Sequence, residues 1–423
     1  MKFFVSLIAL ASFSLQVTSQ QSVDTSRNPG LNQSAPSAPQ LHSRGSDDSR
    51  LQSHTGLEGQ QPKLITIDVV VTNRSGNPFP GLSAGDFRLF DNKKEVKIER
   101  FRALSNELDG NDHAAQIMLV IDAINTSHES LARIYSQVRD FLNLNNGHLT
   151  QPISILVLSD TETGTKNGQG AKQSSENTTL ANRQAFFRRI PASKDGLTLI
   201  AALNQSIPQM SRISEAQGGE GDSEKVMLSV KALDAIATVE TKFEGRKIVI
   251  WISPGWSPLA RSTKTDVALF NNIVYFSNLL RDARITLDFV NPDGVSGGAS
   301  APSNQTLPQN ASESAFQNHT ASVPTGQVGQ NWYEAYYRSV KKEGQADIND
   351  LALQVLAYQS GGLVLDKNNQ IENQIVRCVN EAGPSYELSF EPSSVSGAPY
   401  HELEVKVQKG NVSTRVRRGY YWN

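Results

Sequence analysis

Five short apolar runs constrain this chain most: Ile117–Ile121, Ile153–Leu158, Ile248–Ile252, Ile285–Val290 and Leu363–Leu365. Taken together they are near-continuous rather than alternating, the pattern of strands buried on both faces. Helical spacing separates them. Leu131, Ile134, Tyr135, Val138, Phe141 and Leu142 share one face, and Val226, Val230, Leu233 and Ala237 a second. Ile348, Leu351, Val355 and Tyr358 form a third, and Ile371, Ile375, Cys378 and Val379 a fourth. Buried strands joined by helices predict an α/β domain over residues 112–383: a mostly parallel sheet covered on both sides. Ligands of such sheets bind outside the carboxyl ends of the strands, where the strand order reverses. Polar insertions at 161–178, 214–223 and 292–330 interrupt the domain. The last is rich in Gly, Ser, Asn and Pro, and its sequons at Asn304 and Asn310 are read as chance matches in such a loop.

Both flanks read as β structure. In the module 62–111, Ile65, Ile67, Val69 and Val71 alternate with Thr66, Asp68, Val70 and Thr72, the period of a half-buried strand. A turn at Asn73–Pro78 follows, then strands at Phe87–Phe90 and Val96–Phe101 around an Asp91-Asn92-Lys93 turn. In 384–423, Tyr386, Leu388 and Phe390 alternate, as do Leu403, Val405 and Val407, with a last strand near Val412–Val416. Each set is too small for an independent core. The two are therefore expected to pair into one small β-sandwich, with the α/β domain inserted between its halves.

The chain's 423 residues suit two domains. Lys2, the apolar run Phe3–Leu15 and the small residues Val17-Thr18-Ser19 read as a secretory signal, residues 1–19, cleaved before Gln20. The mature chain is then secreted or periplasmic. Residues 20–61, rich in Ser, Gln, Pro, Asn and Gly, read as a disordered linker. A net charge of -2 gives no nucleic-acid signature. No later stretch has the length and apolarity of a membrane span. Cys378 is the only cysteine, which excludes an intramolecular disulfide. Its apolar helix face marks it as an inert core thiol.

Several blocks occur in a specific order. They are Ile67-Asp68-Val69-Val70-Val71-Thr72, Gly76-Asn77-Pro78, Gly81-Leu82-Ser83, Asp86-Phe87-Arg88-Leu89-Phe90-Asp91 and Ile98-Glu99-Arg100-Phe101. The strand ending at Asp122, Gly361-Gly362-Leu363-Val364, Tyr386–Pro392, Leu403–Val407 and Arg417-Arg418-Gly419-Tyr420-Tyr421 follow. In this the chain resembles the secreted VWFA-related proteins best known from Acidobacteria, over nearly all of residues 63–423. The resemblance implies an exported protein with a von Willebrand factor A-like (VWA-like) α/β domain. It implies no reaction.

A metal-dependent VWA site binds a hard cation through Asp-x-Ser-x-Ser in a first loop, a threonine in a second and an aspartate in a third. Asp122 matches the first aspartate. Ile124 stands at the first serine, and Thr126 at the second. In Asp195-Gly196-Leu197-Thr198-Leu199 the matching threonine is Thr198. The third loop reads Ser253-Pro254-Gly255-Trp256, without an aspartate. Asp122, Thr126 and Thr198 remain as candidate ligands, with the Asn125 amide oxygen a possible substitute. One carboxylate in place of two supports at most weak binding of a divalent cation such as magnesium, so no cofactor is expected. On ligand count, Asp122 fits better as a helix cap or an acceptor for loop amides than as a tight metal ligand. Ser127 or Thr126 fits as the cap of the next helix, with Glu129 in its first turn.

Enzyme motifs do not stand out. His401-Glu402-Leu403-Glu404-Val405 opens like a zinc-protease motif but lacks the second histidine, and His401 reads as an exposed strand residue. Gly218-Gly219-Glu220-Gly221 lacks the strand and helix of a dinucleotide site. His113 and His128 lie near the candidate site, with nothing to orient them. Trp251, Trp256 and the run Trp332, Tyr333, Tyr336, Tyr337 are the aromatic candidates for a binding surface, with Trp251 read as core. The resulting expectation is a non-catalytic interaction or adhesion module. Its protein partner would dock on a rim of Asp122, Asn125, Thr126, Thr198 and Trp256. An exported enzyme with its site in the same cleft, and a structural envelope component, are the alternatives.

Overall fold

The computed structural model describes residues 64–104, 115–160, 186–206, 219–256, 266–293, 332–366, 368, 370–392 and 399–422. The expected signal, linker, insertion 161–178, both sequons, His113 and nearly all of 292–330 lie outside these residues. In chain order, β1 (Ile65–Asn73), β2 (Phe87–Asp91), β3 (Lys94–Val96) and β4 (Ile98–Leu104) come first. Next are β5 (Gln116–Asp122), α1 (His128–Leu142), β6 (His148–Ser159), β7 (Phe186–Asp195), α2 (Gly196–Asn204) and α3 (Gly219–Glu240). Then follow β8 (Lys247–Ile252), α4 (Asp266–Asp282), β9 (Ile285–Val290), α5 (Leu353–Gln359), β10 (Val364–Leu365) and α6 (Ile371–Asn380). The chain closes with β11 (Ser385–Phe390), β12 (Tyr400–Val407), β13 (Val412–Arg415) and β14 (Gly419–Tyr421).

Six strands form the central sheet in the order β10-β9-β8-β5-β6-β7. All its pairings are parallel except β6 with β7. Side chains alternate between two cores. Met118 and Val120 join Trp251, α3, α4 and α5 on one face, and Ile117, Leu119 and Ile121 join α1, α2 and α6 on the other. The strands are therefore apolar at nearly every position because both faces are covered. No described helix is long and apolar enough to cross a membrane.

The flanking strands interleave into two antiparallel sheets, β13-β1-β11-β4 and β14-β12-β2-β3. Ile67, Val69 and Leu89 from the N-terminal side meet Tyr386, Leu388, Phe390 and Val405 from the C-terminal side in one core. Asn92 and Lys93 both have positive φ, the geometry of a two-residue hairpin turn between β2 and β3.

Some local expectations are corrected. Residues 219–223 of the expected insertion 214–223 begin α3. The face from Ile348 to Tyr358 is not one helix. Asp347 and Asp350 cap a separate 3-10 turn, and extended Ala352 (ψ 145°) divides it from α5. His401 is buried, 2% exposed, because its ring faces the core between β2 and β14. Its Nδ1 lies 2.8 Å from Asp91, which also accepts the Tyr420 hydroxyl at 2.8 Å. The aromatic run packs on itself: Tyr337 stacks on Tyr358 at 3.9 Å, and Trp332 meets Tyr333 edge-on.

Burial pushes the Asp350 carboxyl up to about 7, against the pull of Arg338 and the Asp347 amide. Its folded value therefore lies above its ordinary 3.8, so the folded chain holds this proton more tightly than the unfolded chain. That contribution to stability is complete below about pH 4 and is lost as pH rises toward 7. Asp350→Asn is expected to flatten the stability profile across this window in urea titrations. An unchanged slope would remove Asp350 as its source.

Candidate functional site

The strand order reverses between β5 and β8, which are adjacent while their following connections run to opposite sides of the sheet. The loop after β5, Ala123–Ser127, therefore lies at the carboxyl-end crevice of the sheet. Asp122, the last residue of β5, points into the core that holds Trp251 and α3.

Asp122 is fully buried and its carboxylate is surrounded by donors. Oδ1 accepts the Ile124 and Asn125 amides, each at 3.1 Å. Oδ2 accepts Asn125 Nδ2 at 2.8 Å, Trp251 Nε1 at 3.0 Å and the Ser229 hydroxyl at 3.5 Å. Asn125 Nδ2 also donates to Ser229 at 2.7 Å. Burial raises the Asp122 carboxyl above its ordinary value, and Asn125, Trp251 and the loop amides pull it back down.

The rest of the loop is committed in the same way. Ile124, 1% exposed, fills the core at the first serine position. The Thr126 hydroxyl donates to the Asp122 carbonyl at 2.5 Å. Ser127 caps α1 by accepting the Ser130 amide. After β8, Ser253 is buried and its Oγ accepts the Gly255 amide at 3.2 Å. Gly255 turns at φ +96°, where an added Cβ would lie 2.0 Å from Gln354 Nε2.

This donor set does not fit a hard divalent cation. Such an ion needs free oxygen lone pairs on a common rim. Here the carboxylate faces N–H and O–H groups, one neighbour is isoleucine, and the third loop supplies no carboxylate. Among the described residues, no group of three or more His, Cys, Asp or Glu side chains is arranged to hold a metal.

Two expected rim residues belong elsewhere. Thr198 lies at the opposite end of the sheet. Because β7 runs antiparallel to β6, its last residue Asp195 pairs with His148, while Asp122 pairs with Leu158. Ten residues of strand at ~3.3 Å each separate the two ends by roughly 30 Å. Asp195 there caps α2, accepting the Leu197 and Thr198 amides and the Thr198 hydroxyl, the last at 2.6 Å. The Thr198 hydrogen bonds hold the Asp195 carboxyl below its ordinary value. Trp256 is 1% exposed and packs edge-on against Trp251, with ring centres 6.0 Å apart.

Among the described residues of the crevice, Ser127, His128 and Glu129 are exposed, with Asn125 partly exposed beside them. The loop after β9 adds Asp293, which accepts the Ser130 hydroxyl and pairs with Arg133. Ser229 and Arg133 carried no distinguishing signal in sequence, since both lie within ordinary helical patterns.

No family model and no curated protein matches the chain. Among solved structures, the human COPII-coat protein Sec24c is similar over 76% of this chain, at 8% identity and a TM-score of 0.27. The matched region spans 46% of that structure. A likeness at that score carries no argument about fold or function.

Proposed function

We propose that this chain is an exported, VWA-like protein-interaction module that binds its partner at the carboxyl-end crevice without a metal ion. The observation that carries the reading is the reversal of strand order at β5 and β8, beside the exposed Ser127-His128-Glu129 segment. The mostly parallel sheet covered on both faces and the family resemblance of the sequence blocks support the VWA-like assignment. The saturated Asp122 carboxylate supports a non-metal role, since its oxygens already serve the loop. Recognition then rests on the side chains outside that buried cluster.

The test is capture of partners from an envelope extract of the source organism. His128→Glu and Glu129→Arg alter the crevice, and Lys194→Glu alters the opposite end of the sheet. Crevice variants are expected to lose captured partner at least tenfold, while Lys194→Glu and added EDTA leave it unchanged. Equal capture by all variants, or loss with EDTA, would overturn the proposal.

A further inference from the structure

An open cleft of about 750 Å³ separates β4 and β11 from the turns that precede β8 and β9. Arg100 and Arg102 of β4 and Glu387 of β11 line one wall, and Lys242, Phe243 and Arg284 line the other. These turns stand at the amino ends of the central strands, so the cleft lies at the opposite end of the sheet from the Asp122 loop. Among the described residues β4 pairs only with β11, which makes it an edge strand. Half of its N–H and C=O groups therefore point away from β11, toward the place of a further strand. Glu99, Arg100, Arg102 and Ala103 on it are exposed. The edge strand β7 carries Pro191 in mid-strand, which removes a donor, whereas β4 has no proline.

Charge decides the occupant. Glu387 is already held by Arg102 at 2.9 Å and Arg284 at 2.7 Å, and Asp282 by Arg281 at 3.0 Å. Arg100 and Lys242 have no ionic partner among the described residues, and neither has Glu244 beside them. Two cations against one carboxylate favour a ligand that brings negative charge. A second copy of β4 would instead set arginines against arginines, and like charges on paired strands are destabilising. Side chains two apart on an added strand share one face, so alternate carboxylates would all turn toward the cleft. Phe243, 51% exposed, offers its ring to an apolar neighbour. We infer that the β4 edge and this cleft form a second docking site, for an extended acidic segment of a partner protein that adds to β4 as a strand.

The probes are two soluble extended peptides, a Glu-Thr repeat and a Lys-Thr repeat, titrated into the full chain by fluorescence anisotropy, with amide exchange read along β4. The glutamate peptide is expected to bind saturably and to slow exchange within Ile98–Leu104, while the lysine peptide stays unbound. Arg100→Glu combined with Lys242→Glu should weaken binding about tenfold or more, and Glu244→Gln should tighten it about twofold. All three residues are exposed and outside the described ion pairs, so urea midpoints should not move. Absent binding, equal binding of both peptides, indifference to the Arg100 and Lys242 changes, or unslowed exchange in β4 would each overturn the proposal. The chain's own residues 105–114, with Glu107, Asp109 and Asp112, are the rival occupant. Peptide binding that appears only after Glu107→Gln, Asp109→Asn and Asp112→Asn would mean that the edge is filled from within, and the partner proposal would fall.

Discussion

Alanine at position 122 is expected to destabilise the chain by about 3–5 kcal/mol and to change no metal affinity. The substitution strands the Ile124 and Asn125 amides and the Trp251 indole N–H, all now donating to the carboxylate. An orphaned buried donor costs about 1–3 kcal/mol, and neighbouring losses do not add fully because the loop can relax. Urea unfolding should show a lower midpoint at constant slope. Trp251→Phe removes one donor and keeps the ring, so a smaller loss of about 1–2 kcal/mol is expected. Magnesium titration calorimetry should be silent for the parent and for Asp122→Ala. Micromolar binding that disappears in the variant, with stability intact, would make Asp122 a ligand instead of a structural acceptor.

That arrangement shows what local sequence can convey. The apolar run ending at Asp122 and the faces of α1 and α6 are legible because each pattern repeats within one element. Trp251 and Ser229 lie 129 and 107 positions from Asp122, so their convergence depends on sheet order and side-chain alternation. The strand β7 is obscured by Arg188, Arg189, Pro191 and Lys194, residues that suit an edge strand and weaken a core-strand pattern. Missing β7 also misplaces Thr198, since the same Asp-Gly-Leu-Thr string caps a helix at either end of a sheet. Strand direction alone puts it opposite Asp122. Trp256 follows a buried strand and looks available to a partner, whereas its packing against Trp251 is a tertiary fact.

Gly362→Ala is expected to cost about 3 kcal/mol, near the upper end for overpacking a close contact. Its Cβ would lie 1.8 Å from the Leu287 carbonyl oxygen and 2.9 Å from Asp288 Oδ1. The first neighbour is backbone of β9, hydrogen-bonded within the sheet, and cannot swing aside. Moving Gly362 away also strains the Leu363 amide's bond to Asp288, 2.7 Å, and the Phe289 amide's bond to the Leu363 carbonyl, 2.8 Å. Gly361→Ala should be comparably harmful for two reasons. Its φ of +84° disfavours a side chain, and the new Cβ would meet Val416 and Arg417 backbone at 2.6 Å. Gly344→Ala is the control, with nothing within 4 Å of its Cβ, and should stay within about 0.5 kcal/mol. Urea midpoints read all three, and equal midpoints would sink the argument. One side of this glycine pair touches β9 and the other touches the link between β13 and β14. A side chain at Gly361 therefore pushes the α5–β10 link away from the C-terminal strands, and one at Gly362 pushes the same link away from β9. The loss should appear in probes of both regions as a single shifted transition.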